Sequence, residues 1–109
     1  MNLWVDDLRP PPSKDWIWAQ TFDDARILVR TIVWDTMSLD HDLADIHYAA
    51  LDSPVERTGF DLVRYIRKVV DSYPHRLPNH ILVHSMNPVG KAKMEAEIAD
   101  LYQNKGRHP

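Results

Sequence analysis

Four short apolar runs punctuate the chain, and three of them stop abruptly at acidic or imidazole side chains. Asn2 to Val5 ends at Asp6-Asp7 and reads as a buried strand entering a polar loop. Leu8-Arg9-Pro10-Pro11-Pro12 is excluded from a helix interior, because three prolines fix φ and remove donors, so a stiff extended loop is expected. Trp16-Ile17-Trp18-Ala19, rich in β-formers, is a second strand. Thr36 to Leu39 is a third and delivers Asp40, His41 and Asp42 at its far end. Ile81-Leu82-Val83 is the clearest strand and runs straight into His84-Ser85.

Helical spacing governs three other stretches. Thr21 suits an N-cap, with Asp23 and Asp24 in the first turn, where the helix dipole favours negative charge. Phe22, Ala25, Leu28, Val29 and Ile32 form the apolar face of that helix, which is expected to end near Val33-Trp34. Thr58-Gly59 opens a second helix with Phe60, Val63, Ile66, Val69, Val70 and Tyr73 inward, closed by Pro74 and Pro78. Asn87-Pro88 starts a third, asparagine as cap and proline in the first turn, with Met94, Ile98, Leu101 and Tyr102 as its buried stripe. Ala44 to Glu56 has no clean period and is expected as a loop, and Gln103 onward as a frayed end.

The order strand, strand, helix, strand, helix, strand, helix implies an α/β domain: an open, mainly parallel four-stranded sheet with about three helices. The first connection carries no helix. The first two strands are therefore either antiparallel neighbours or parallel strands joined by a loop long enough to cross over. There is no internal repeat, and one domain over residues 1–105 with a flexible tail at 106–109 is expected.

Composition narrows the class. A chain of 109 residues holds one core, and 44% hydrophobic with 27% charged residues is the balance of a globular protein. No apolar run approaches the roughly 20 residues of a membrane helix, so no membrane association is expected. MNLWVDDL meets carboxylates too early for a secretory signal. The absence of cysteine excludes disulfides, thiol nucleophiles and thiolate zinc sites. A cytoplasmic protein, bacterial or phage-encoded in a host cytoplasm, fits best. The formal net charge of −3 argues against extended duplex nucleic acid. A small anionic ligand stays open, since a bound cation reverses the local field.

Ligands of open parallel sheets bind beyond the carboxyl ends of the strands, where strand order reverses. Asp6 and Asp7 suit a hard divalent cation such as Mg²⁺, or else mark a loop entry in which Asp7 forms an Asx turn ahead of the prolines. Strand alternation places Asp40 and Asp42 on one side and His41 on the other if the third strand persists. Asp40 is the functional candidate of that pair, Asp42 either a ligand or a structural cap, and His41 a second acid/base or a structural residue. His84 is a candidate general acid, base or ligand. Ser85 is placed to donate to a phosphate oxygen, and Asn87 caps the helix whose N–H groups face the same edge. Arg9 meets a phosphate or pairs with Asp6 or Asp7. Gly59 in Thr58-Gly59-Phe60-Asp61 allows close backbone approach. The four tryptophans are mainly core, although Trp16 and Trp18 alternate onto one face as a partly exposed patch.

An acidic pair after the first strand, an Asp after the third and a Ser after the fourth resemble a response-regulator receiver domain, a flavodoxin-like fold. Here the helix after the first strand is replaced by Leu8-Arg9-Pro10-Pro11-Pro12, and no fifth strand or matching lysine follows, so a truncated receiver is expected; Lys91 and Lys93 lie on a helix. WVDDLRPPP, SLDHDL, TGFD and VHSMNPVG resemble more closely the phage and bacterial group of cyclic-phosphate processing receiver-like domains. That resemblance implies a site of Asp6, Asp7, Asp40, His41, Asp42, His84, Ser85 and Asn87.

The leading expectation is thus a metal-dependent phosphate-site protein that hydrolyses a cyclic phosphate of a nucleotide or RNA end. Asp6, Asp7, Asp40 and Asp42 would hold Mg²⁺ or another divalent cation. His84, Asp40 and His41 would be catalytic, and Ser85, Asn87 and Arg9 would hold phosphate. The rival is a non-catalytic, receiver-derived module that binds a host protein. Phospho-acceptance at Asp40 ranks third, for want of the lysine.

Overall fold

In the computed structural model, which describes residues 1–43 and 58–104, β1 (Asn2–Val5), β2 (Trp16–Ala19), β3 (Thr36–Leu39) and β4 (His80–Val83) form one sheet in the order β2-β1-β3-β4. Every neighbouring pair is parallel. This resolves the open question about the first connection: Asn2 pairs with Trp16 and Val5 with Ala19, so the proline-rich segment crosses over.

The described helices are α1 (Phe22–Thr31), α2 (Gly59–Ser72) and α3 (Pro88–Gln103), with a turn of 3₁₀ helix at Pro74–Arg76. Each α-helix starts at a side-chain cap. Thr21 Oγ1 accepts from the Asp24 N–H at 3.1 Å. Thr58 and Asp61 form a reciprocal capping box. Asn87 Oδ1 accepts from the Gly90 N–H at 3.0 Å, with Pro88 next to the cap.

α1 ends earlier than its apolar spacing suggests. The backbone turns extended at Ile32 (φ −127°, ψ 142°), and the buried Trp34 folds back so that its Nε1 donates to the Leu28 carbonyl at 2.9 Å. The indole thus adds a second donor to a carbonyl that already accepts from the Ile32 N–H at 3.1 Å. At the other end of the chain α3 includes Gln103, where fraying was expected, and closes on Asn104, whose Nδ2 donates to the Asp100 carbonyl at 3.0 Å. The expected loop from Ala44 to Glu56 and the tail at 106–109 lie outside the described residues.

Both helical crossovers advance across the sheet in one direction, β2 to β3 and β3 to β4, so right-handed connections put α1 and α2 on the same face. There α2 packs between α1 and α3. Leu3, Val5, Ala19, Met37, Leu39 and Ile81 face this layer and meet Phe22, Val29, Leu62, Ile66, Met94 and Leu101. Flanked on two sides and lying over the sheet, α2 buries a wider arc than a single stripe. It encloses Leu62, which the helical spacing omitted, while Tyr73, past the end of the helix, is exposed. Full burial of each such aliphatic side chain is worth about 1.5–3 kcal/mol.

The β1–β2 connection runs back across the sheet and so passes over the opposite face. Trp4 lies on that face by alternation, and its Nε1 donates to the Arg9 carbonyl at 2.9 Å, tying the loop down. Asn2, Trp16, Trp18, Thr36, Ser38, His80 and Leu82 share the face by register, and among the described residues no helix covers it. No described helix is long and apolar enough to cross a membrane.

Candidate functional site

The ladder of the sheet continues one residue past each strand and fixes three side chains at its carboxyl rim. The Asp6 N–H donates to the Ala19 carbonyl (3.1 Å), the Asp40 N–H to that of Val5 (2.9 Å) and the His84 N–H to that of Leu39 (3.0 Å). β1 and β3 are neighbours whose chains leave in opposite directions, so Asp6 and Asp40 flank the switch point where a ligand pocket is expected.

Asp6 is 1% exposed. Its Oδ1 accepts from the N–H groups of Leu8 (2.9 Å) and Arg9 (2.8 Å), and its Oδ2 meets His84 Nε2 at 3.0 Å and Arg9 Nε at 3.6 Å. The turn expected of Asp7 is thus formed by Asp6, which also stands in the acidic group. Burial pushes its carboxyl up, but the two backbone donors and His84 outweigh that and leave it below the usual carboxylate range.

Asp40, 6% exposed, moves the other way. Burial and then the charge of Asp6 raise it, against the His41 N–H, which donates to Oδ1 at 2.8 Å, and the Ser85 hydroxyl. Together with Asp7, these residues offer three carboxylate oxygens that all lie within 4.8 Å of one another. At such a separation and an effective dielectric of about 20, two ionised carboxylates repel by on the order of 3 kcal/mol. The half-exposed Arg9 guanidinium reaches Asp6 but does not keep Asp40 from being raised. An under-compensated set of hard oxygen donors fits a divalent cation.

His84 is held on three sides. Its ring stacks on Trp4, Nδ1 lies 2.7 Å from Ser38 Oγ and Nε2 lies 3.0 Å from Asp6 Oδ2. Burial lowers its pKa although both aspartates pull it upward. Since the Asp6 carboxylate only accepts, the neutral ring carries its proton on Nε2, and Nδ1 accepts from the Ser38 hydroxyl. Both nitrogens thus have partners within the protein, and through Nε2 the ring holds one oxygen of Asp6 in place.

The remaining candidates divide. Ser85 joins the site: its hydroxyl bonds Asp40, and its Oγ accepts from the Asn87 N–H at 3.1 Å. Asn87 serves as the α3 cap, which commits its Oδ1. Arg9 pairs with Asp6. Asp42 falls outside the acidic group; its side chain is 71% exposed and bonds His41 Nδ1 at 2.9 Å. β3 stops at Leu39, so the alternation that would have aligned Asp42 with Asp40 does not continue. The His41 ring sits against Gly90 of α3, where any Cβ would overlap it, and the His41 carbonyl accepts from the Gly59 N–H at 2.7 Å. His41 thus locks two helix starts to the β3 loop and stands outside the group of Asp6, Asp7 and Asp40.

Of two further participants, Ser38 was not singled out from the sequence, and Trp18 was read only as part of a partly exposed patch. Ser38, 4% exposed, is a polar residue inside an apolar strand two positions before Asp40, and that misfit is the available signal. Trp18 donates from Nε1 to the Asp6 carbonyl at 2.7 Å.

A parallel sheet in this order, with carboxylates after β1 and β3 and a serine after β4, defines a receiver-like domain. Within that class the chain belongs to the cyclic-phosphate processing receiver domain family, which it matches over residues 1–100. No curated protein and no solved structure matches it.

Proposed function

We propose that this protein is a divalent-cation-dependent phosphate-site enzyme that hydrolyses a cyclic phosphate, on a nucleotide or RNA end, to a phosphomonoester. The observation that carries the reading is the convergence of Asp6, Asp7 and Asp40 at the switch point, with Asp40 raised by burial and by Asp6. Family membership supports the cyclic-phosphate part.

In this reading Asp6, Asp7 and Asp40 hold the cation. Once bound, the cation, Mg²⁺ or a similar ion, would neutralise phosphate oxygens and make phosphorus more electrophilic. The chain's own groups do the rest. His84, braced by Trp4 and Ser38, fixes one oxygen of Asp6. Ser85, bonded to Asp40, orients that carboxylate, and the N-terminal turn of α3 would present its N–H to a phosphate oxygen. In the overall reaction, water oxygen bonds to phosphorus, one ring ester P–O bond breaks, and the water's proton ends on the departing hydroxyl.

The test is incubation with Mg²⁺ and a 2′,3′-cyclic nucleotide, followed by phosphorus NMR. One phosphomonoester is expected from the wild type and none from Asp40→Asn. Failure of the wild type to convert any 2′,3′- or 3′,5′-cyclic nucleotide overturns the hydrolytic reading.

A further inference from the structure

The sheet face opposite the helices begins at the acidic rim and is lined with indoles. Trp4 is half-buried there: it stacks on His84, meets Trp16 edge-on at 5.7 Å and is tied to the Arg9 carbonyl. Its register partner Trp18 is different. The Trp18 Nε1 is anchored on the Asp6 carbonyl, yet the residue is 37% exposed. An indole whose N–H is bonded to the chain of a rim carboxylate, and whose ring still meets solvent, is a fixed aromatic surface at the edge of the site.

The surroundings decide what such a surface fits. By register the face also carries Asn2, Thr36 and His80, and its other exposed apolar residue, Leu82, stands on β4 at the far edge. That is not the contiguous apolar patch a protein interface requires. A single planar ring needs only a single indole. β2 adjoins β1 and lies two strands from β3, which puts the Trp18 strand about 5 Å from that of Asp6 and about 10 Å from that of Asp40. A ribose bridges a base to its phosphate over that kind of reach.

We propose that Trp18 is a nucleobase platform: the base stacks on its indole while the phosphate of the same nucleotide lies at Asp6, Asp7 and Asp40. This rests on the phosphate-site reading and deepens it, because it assigns to Trp18 the recognition of the substrate's base.

The test compares adenosine 3′-monophosphate with ribose 5-phosphate as ligands of the Mg²⁺-loaded protein, by calorimetry and by quenching of tryptophan fluorescence. Base–aromatic stacking should make the nucleotide bind roughly tenfold or more tightly than the sugar phosphate. In Trp18→Ala that ratio should collapse toward one, and in Trp18→Phe, which keeps a ring but loses the N–H, much of it should survive. Equal affinities in the wild type, or an unchanged ratio in Trp18→Ala, refute the platform and leave the phosphate site standing. If neither ligand binds the wild type, the phosphate-site reading and the platform fall together.

Discussion

The imidazole of His84 lies flat on the indole of Trp4, with 3.8 Å between ring centroids and 5° between planes. The stack fixes the ring so that one nitrogen meets Ser38 and the other Asp6. The histidine is thus a rigid strut between two strand ends and the buried carboxylate. His84→Phe keeps an aromatic ring on Trp4 but leaves the Ser38 hydroxyl without its partner and Asp6 Oδ2 with Arg9 alone. A buried group left unsatisfied costs about 1–3 kcal/mol. Urea unfolding should show a loss of that order for this variant.

The same strut carries a pH signature. The folded ring has its pKa below the ordinary value of about 6.5. The unfolded chain therefore takes up the proton first as pH falls. This contribution to stability is fully present above about pH 6.5 and declines as pH drops toward the folded value. Asp6, also lowered, adds a second loss of the same sign beginning near the ordinary carboxylate range. Unfolding free energies measured between about pH 5 and 8 should fall toward the acid end in the wild type and fall less in His84→Phe.

Asp40 works in the opposite sense. Its carboxyl is raised, so the folded state binds the proton first, and stability declines as pH rises from the ordinary carboxylate range through the folded pKa. Asp40→Asn removes the charge and retains an oxygen able to accept from the His41 N–H. Without divalent cation at neutral pH the variant should be more stable than the wild type, with Tm about 4–8 °C higher for each kcal/mol gained. A Tm equal to or below that of the wild type counts against the repulsion described here.

Gly59 permits the close approach of α2 to β3. A Cβ there would overlap the Asp40 carbonyl oxygen and come within 2.7 Å of Met94 Cε. Helix propensity alone makes Gly→Ala favourable by up to about 1 kcal/mol. Overpacking against backbone costs about 1–3 kcal/mol or more. The net sign for Gly59→Ala is therefore destabilising, and thermal unfolding should show it.

Strand ends and helix caps were legible in the sequence because each is a local event: Val5 stops at Asp6, Leu39 at Asp40, and Thr21, Thr58 and Asn87 cap the residues just after them. Contacts between segments were less legible. Alternation grouped Asp42 with Asp40, but it holds only while the strand lasts, and β3 ends at Leu39. The commitment of both His84 nitrogens needed Ser38, 46 positions away in the chain, and Asp6, 78 away. The anchoring of Trp18 on the Asp6 carbonyl depended on β1 and β2 being parallel, which the helix-free connection left undecided.

The proposal that Asp6, Asp7 and Asp40 form one divalent-cation centre is open to calorimetric titration with Mg²⁺ or Mn²⁺. One cation per chain is expected for the wild type, with loss of that binding in Asp40→Asn and Asp6→Asn, each variant's fold being checked by circular dichroism. A wild type that takes up no cation, or an Asp40→Asn protein that binds as the wild type does, contradicts it.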